Sequence, residues 1–328
     1  MSSLDPARER IRALQHDLAA RLGEQRVVPD APLAPLTTFR VGGPADLLVE
    51  PTSGDELTLI LEHSTMLGVP VTMLGGGSNV LISDAGVRGL VVRPRGGRAV
   101  EIAPGHVRAD AALTINGLVR WTISHGLAGL EAWAGTPGTV GGGVYGNAHW
   151  GGHLLSERIH SVWLWSSGES VAEIAASDMA FGYDASRLQT SREVLVAARF
   201  VLDPGGEPEA LRATARASLA YRKRTQPLDT PSAGCIFQNP SPDVSMPPGI
   251  PRSAGALVDR AGLKGARIGG AVVSPTHGNF IVNTGGATAA DILALVERCR
   301  RTVREQFGVD LLDEIVLLGE HDRTAIGQ

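Results

Sequence analysis

Two glycine-rich segments, "LGGGSNVLI" at 74–82 and "AGTPGTVGGGVYGNA" at 134–148, each follow an apolar run. The second holds six of the chain's 41 glycines. Successive glycines let backbone N–H groups converge on an anion with no Cβ in the way, and such nests suit a pyrophosphate. Ser78, Asn79 and Thr136 add side-chain donors. Neither segment is a dinucleotide fingerprint or a P-loop, because GxGxxG opening a helix and GxxxxGK[ST] are both absent in the required context. One such segment reads as a turn. Two of them, 60 residues apart, point to one cofactor bridged by both.

A chain of 328 residues suffices for two or three domains with real cores. The net charge of −4 offers no basic field for nucleic acid. Lys223 and Lys264 are the only lysines, so arginine carries nearly all the positive charge. No run approaches the roughly 18 apolar residues of a membrane span, and the opening residues lack the apolar centre of a signal peptide. The two cysteines, Cys235 and Cys299, are too few for a disulfide framework and share no metal-ligand spacing. A cytoplasmic protein with reduced thiols and no metal is expected.

Residues 7–22 read as a helix with Ile11, Leu14, Leu18 and Leu22 on one stripe. "ADLLVEP" then "SGDELTLILEHSTMLG" reads as strand then helix, the helix opening on a Ser53–Glu56 capping-box pattern. A helix near 110–125 precedes strand-like "HSVWLW" and "EVLVAARFVL". Helical residues 208–223 lead to "QPLDTPSAG", the start of a further domain whose final helix spans 288–307. Ile292, Leu295, Val296, Cys299, Val303 and Phe307 share a face of that helix, so Cys299 reads as core. The expected partition is an N-terminal helical extension at 1–25, subdomains at 26–98 and 99–220, and a C-terminal domain at 221–320. "EHDRTAIGQ" at 320–328 reads as a loose tail.

The glycine segments, together with "TTFRVGGPADLLVEP", "RKRTQP", "PSAGCIFQNP", "AGALVDRAGLKG", "GGAVVSPTHGNFIVN" and "LLDEIVLLG", resemble the UDP-N-acetylenolpyruvoylglucosamine reductase family in its shorter-loop form. The motifs run in order over about residues 36–319. The resemblance implies an α+β architecture: a two-subdomain FAD-binding fold of the vanillyl-alcohol-oxidase/PCMH type, plus a C-terminal α/β substrate-binding domain. It implies FAD with its pyrophosphate on the glycine loops, held by Gly75, Gly76, Gly77, Ser78, Asn79, Thr136, Pro137, Gly138, Gly141, Gly142 and Asn147. It also implies NADPH as reductant and a nucleotide-sugar substrate, hydride passing to C3 of the enolpyruvyl group and a proton to C2. The flavin should be non-covalent, because "AGTPGTVGGG" offers no His or Cys as tether, and His125 and His149 lie outside it.

The family's proton donor is usually a serine in "SAGS", and the matching position here is Cys235. An unperturbed thiol, with a pKa of about 8.5, is mostly protonated near neutral pH yet a far better acid than an alcohol. Glu314 matches the glutamate that stabilises or protonates the intermediate, and Arg222 and Asn239 match contacts to the nucleotide sugar. His277 reads as a structural hydrogen-bonder. One position departs from the pattern. Where the family has "YR-x-S-x-F", with the arginine on the substrate carboxylate and developing enolate, this chain reads "FGYDASRLQ" with Asp184. At an effective dielectric near 20, a unit charge pair about 4 Å apart is worth on the order of 4 kcal/mol. Arg187 lies three residues on, and in an extended strand it would face the opposite side; a turn near Ala185 would bring it within reach. Either Arg187 takes over as catalytic cation, another arginine does, or the activity has changed, giving a related FAD oxidoreductase of different substrate or a flavin- or nucleotide-sugar-binding pseudoenzyme.

Overall fold

The computed structural model describes residues 5–321, so nearly all of the tail expected at 320–328 lies outside the described residues. The chain divides into two units. The first comprises the residues up to Ala31, Asp46–Gly76 and Gly89–Tyr221; the second comprises Pro32–Ala45, Gly77–Arg88 and the residues from Arg222 on.

In the first unit, helices α1 (Pro6–Leu22) and α2 (Gly54–Met66) share an apolar core with a four-stranded sheet, ordered 27–32, 44–49, 87–92, 71–73. The stripe expected on α1 supplies buried Leu14 and Leu18, and α2 supplies Leu57, Ile60 and Leu61. Ser53 caps α2 by accepting from the Glu56 amide at 3.2 Å, but the Glu56 carboxylate does not close a reciprocal box. It accepts instead from the Thr52 amide at 2.7 Å and from both Nη atoms of Arg26, at 2.7 and 2.8 Å. The Arg26 guanidinium, outweighing the upward pull of burial and aided by the Thr52 bonds, holds the Glu56 carboxyl down at about 2. A carboxyl depressed on folding stabilises the fold above its unfolded pKa and loses that contribution as pH falls through its folded value. Glu56→Gln is therefore expected to cost about 2 kcal/mol at neutral pH. In denaturant melts at descending pH, the gap to wild type should shrink from about pH 4.5 and close near pH 2.

A second core in this unit lies against a five-stranded antiparallel sheet, ordered 172–175, 159–165, 194–201, 106–110, 99–103. The helix expected near 110–125 begins later, as α3 (Ile115–Ser124). Residues 106–110 pair with 197–201, and the Thr114 hydroxyl accepts from the Gly117 amide, which fixes the helix start. Helix α4 (Val140–Tyr145) lies in the second glycine segment. Helix α5 (Pro208–Thr225) runs from the first unit into the second.

The second unit holds α6 (Ala254–Arg260), α7 (Ala289–Phe307), a three-stranded antiparallel sheet of 267–268, 271–273 and 281–283, and a parallel pair of 80–82 with 316–318. A Thr288–Asp291 capping box opens α7, and Gly308, at φ +68°, closes it. Cys299 sits in the apolar core with its thiol pushed up to about 12 by burial. The segments 32–45 and 77–88 fold here for identifiable reasons. Strand 80–82 pairs with 316–318, the Asp84 carboxylate accepts from the Ala289 and Ala290 amides, and Asn283 Nδ2 donates to the Phe39 carbonyl. Among the described residues, no helix is long and apolar enough to cross a membrane.

Candidate functional site

Within the first unit the two glycine segments meet. A Cβ added to Gly76 would lie 2.6 Å from the Gly138 Cα, and one added to Gly75 would lie 2.7 Å from the Thr139 hydroxyl oxygen. Gly138, at φ +99°, occupies backbone space that other residues rarely adopt. The loop is pinned from α3: Asn116 Oδ1 accepts from the Gly135 amide at 2.7 Å, and Asn116 Nδ2 donates to the Thr136 carbonyl at 3.1 Å. Thr139 caps α4 by accepting from the Gly142 amide, and the Gly141 amide donates to the Ala111 carbonyl. Two runs of main chain thus approach more closely than side chains allow, leaving a surface suited to a group that binds through backbone amides. The residues present fit the diphosphate of FAD in this respect.

Asn116 is absent from the sequence expectation; its only signal is an amide among the apolar residues of an amphipathic helix. Asn147 is fully buried at φ +41°, its Nδ2 donating to the Gly182 carbonyl and its Oδ1 accepting from the Ser156 amide. It fastens the end of the glycine segment to neighbouring chain. Thr136, Pro137, Gly138, Gly141 and Gly142 stay with Gly75 and Gly76, whereas Gly77, Ser78 and Asn79 belong to the second unit. There the Gly77 carbonyl accepts from the Thr38 amide, and its φ of +64° and a neighbouring Leu36 carbonyl exclude a side chain.

In the second unit, residues 235–238 run between two other segments. Cys235 bridges Phe280, Phe237 bridges Asp313, and the Glu314 amide donates to the Ile236 carbonyl at 2.8 Å. Asn279 locks one side, accepting from the Phe237 amide and donating to its carbonyl. Asn79 Nδ2 donates to the Glu314 carbonyl at 3.0 Å, so Glu314 is fixed through its backbone on both sides. Cys235 and Glu314 are each half-buried. Arg222, from the last turn of α5, is only 5% exposed; burial pulls its guanidinium down to about 10, and the charge of Cys235 pulls it back up. Arg222 therefore stays cationic at neutral pH within electrostatic reach of the Cys235 sulfur. Asn239 is more exposed, and its Oδ1 accepts from the Ala254 amide at the start of α6. His277 Nδ1 accepts from the Asn279 amide, and burial, then Lys264, holds its imidazole below the ordinary range. That is the structural part expected of it.

The departure at Asp184 has a defined geometry. Residues 182–185 form a tight turn, the Ala185 amide donating to the Gly182 carbonyl and the reverse, with Asp184 at φ +52°. The chain does turn before Arg187, yet the Arg187 guanidinium does not point to an open partner. Its Nε and Nη2 donate to Glu193 at 2.7 and 2.5 Å, and its Nη1 reaches the Asp178 carbonyl. Asp184 accepts instead from His149 Nδ1 at 2.9 Å.

Comparison with known proteins places these features. The family model described as UDP-N-acetylenolpyruvoylglucosamine reductase, C-terminal domain, matches residues 226–318, and the one described as FAD binding domain matches residues 45–174. The UDP-N-acetylenolpyruvoylglucosamine reductase of Carboxydothermus hydrogenoformans is 38% identical over 94% of this chain and 98% of its own length. The protein of that name from Synechococcus sp. strain WH7803 is 42% identical over 88% of this chain and 92% of its own. The crystal structure of the Thermus caldophilus reductase superposes with a TM-score of 0.73 at 33% identity, over 89% of this chain and 98% of that one.

Proposed function

The chain belongs to the UDP-N-acetylenolpyruvoylglucosamine reductase family, and on that premise we propose that it reduces UDP-N-acetylglucosamine enolpyruvate to UDP-N-acetylmuramate for peptidoglycan, with FAD as cofactor and NADPH as reductant. The observation that carries the reading is Cys235, a half-buried thiol beside the buried Arg222 cation and one hydrogen bond from the Glu314 segment. Bound FAD supplies the hydride that the enolpyruvyl double bond accepts.

The chain's own residues do the rest. Gly75, Gly76, Gly138 and Thr139 would hold the diphosphate of FAD, with Asn116 and Asn147 keeping the loops in place. The Cys235 thiol gives its proton to C2, and the Arg222 guanidinium stabilises the thiolate left behind. Glu314, held at both its amide and its carbonyl, presents its carboxyl to the same carbon. Asn239 serves the nucleotide sugar through the loop that it fastens to α6. The partition into subdomains at 26–98 and 99–220 before a substrate domain from 221 is part of the proposal; the separate ranges of the two family matches support the boundary near 221, and the two apolar cores of the first unit support the earlier one. So is a non-covalent flavin. His125 stacks on Trp121 with ring centroids 3.9 Å apart, and His149 is bound to Asp184, which leaves the nearest tether candidates otherwise engaged. A cytoplasmic location is supported by a sequence with only two cysteines.

Asp184 favours one second reading, a flavin reductase of the same architecture acting on another substrate. The test is NADPH consumption by the purified yellow protein. One equivalent consumed for each equivalent of UDP-N-acetylglucosamine enolpyruvate, with UDP-N-acetylmuramate as product, is the expected result. Flavin that NADPH bleaches but this nucleotide sugar fails to reoxidise would hand the case to the second reading.

A further inference from the structure

The second glycine segment ends in Ala148, and His149 follows at the base of a two-residue hairpin. His149 pairs with Leu154, and Gly151 and Gly152, at φ +62° and +86°, make the turn. The Leu155 amide donates to the Ala148 carbonyl and Trp150 Nε1 donates to Ser218 Oγ, so the backbone at His149 is held from both sides. Asn147 ties the same stretch to the 182–185 turn through the Gly182 carbonyl. That tie sets the imidazole of His149 beside the Asp184 carboxylate, Nδ1 to Oδ1 at 2.9 Å, with the Tyr183 ring 4.7 Å away and its hydroxyl 3.5 Å from Nε2.

Asp184 is a costly residue to keep. Its side chain is 8% exposed, its Oδ2 is buried with no hydrogen-bond partner among the described residues, and its backbone sits in the left-handed region. A carboxylate buried with one oxygen unmet requires a counter-charge, and the group bonded to its other oxygen is His149. The His149 side chain is more exposed, at 27%, with Nε2 on the edge away from the carboxylate. Arg187, the cation expected for this place, is committed to Glu193.

We propose that His149, held as an imidazolium by Asp184, is the cation that binds the carboxylate of the enolpyruvyl group, with Asp184 acting as its positioning residue. The inference rests on the functional reading above. An aspartate at the turn is then the means by which the positive charge is supplied from a neighbouring element. Asp184 fixes Nδ1 as the inward donor, so Nε2–H is the group that donates to a carboxylate oxygen. The left-handed backbone at 184 suits Asp and Asn better than most side chains.

The test compares ligands with and without that carboxylate on intact holoenzyme: UDP-N-acetylmuramate, which carries it, and UDP-N-acetylglucosamine, which lacks it. His149→Gln should weaken the acid by about 30-fold, the worth of one hydrogen bond to a charged group, and leave UDP-N-acetylglucosamine within twofold. His149→Lys, which keeps a positive charge, should restore most of the preference. Asp184→Asn, which keeps the turn, should erode the preference in the same direction by a smaller factor. In all three, NADPH should reduce the flavin at the wild-type rate. If His149→Gln discriminates between the two ligands as wild type does, the inference fails alone. If wild type itself neither discriminates nor turns over the enolpyruvyl substrate, the functional reading fails and takes this one with it.

Discussion

Replacing Cys235 with alanine is expected to leave NADPH reduction of the bound flavin at the wild-type rate while slowing reoxidation by UDP-N-acetylglucosamine enolpyruvate about a thousandfold. The two half-reactions separate because only the second needs a proton at carbon, and a positioned general acid contributes roughly 10²–10⁴ to such a step. The surroundings of Cys235 suit a donor. The residue lies on a segment clamped between Phe280 and Asp313–Glu314, so main-chain bonds hold its position. Alanine should therefore fold into the same place. Arg222 sits within electrostatic reach, and a cation there favours the thiolate that proton transfer creates. Cys235→Ser keeps a donor of weaker acidity on the same backbone and should fall between wild type and alanine. Stopped-flow traces of bleaching and recovery of flavin colour decide the matter. Recovery in Cys235→Ala at a tenth of the wild-type rate or faster would remove Cys235 from the reaction.

What the sequence discloses follows the range of the interactions concerned. The glycine segments are legible because the demand for bare backbone is written in the residues that meet it, and Gly76 against Gly138 shows the close approach that their composition implies. Helix α7 is legible for a similar reason: its apolar stripe, its Thr288 cap and its terminal Gly308 are all local. The membership of 32–45 and 77–88 in the second unit is not legible. It depends on a parallel pairing of 80–82 with 316–318 and on an Asn79–Glu314 bond across 235 positions, which no local pattern announces. Asn116 is hidden because an amide in an amphipathic helix carries no sign of the loop it will hold. The Asp184 position shows the limit most clearly. Sequence reveals the missing positive charge and offers the nearest arginine, but Glu193, six residues on, claims that guanidinium, while the hairpin after the glycine segment brings His149 to Asp184 from 35 positions away.

Gly76→Ala should cost the protein its flavin. The added methyl would stand 2.6 Å from the Gly138 Cα and 3.3 Å from its carbonyl carbon. Both are backbone atoms, so no side chain can swing aside, and the two loops must part by a good fraction of an ångström. Amide–phosphate hydrogen bonds are charge-assisted and worth about 1.5–3 kcal/mol each. Losing two of them would weaken FAD by about 100-fold or more, at about 1.4 kcal/mol per decade. The objection that any alanine at a tight glycine merely unsettles the fold is met by Gly68→Ala in the same unit. Gly68 has a positive φ, +62°, which Gly76 lacks, and nothing lies within 4 Å of its added Cβ. That variant carries about 1–2 kcal/mol of left-handed strain and no collision, so it should melt earlier yet bind FAD normally. Fluorescence titration of the stripped proteins with FAD, beside their melting curves, separates the two effects. A Gly76→Ala protein within threefold of wild-type affinity, or a Gly68→Ala protein that loses flavin equally, would mean that the meeting of the two loops is not what grips the diphosphate.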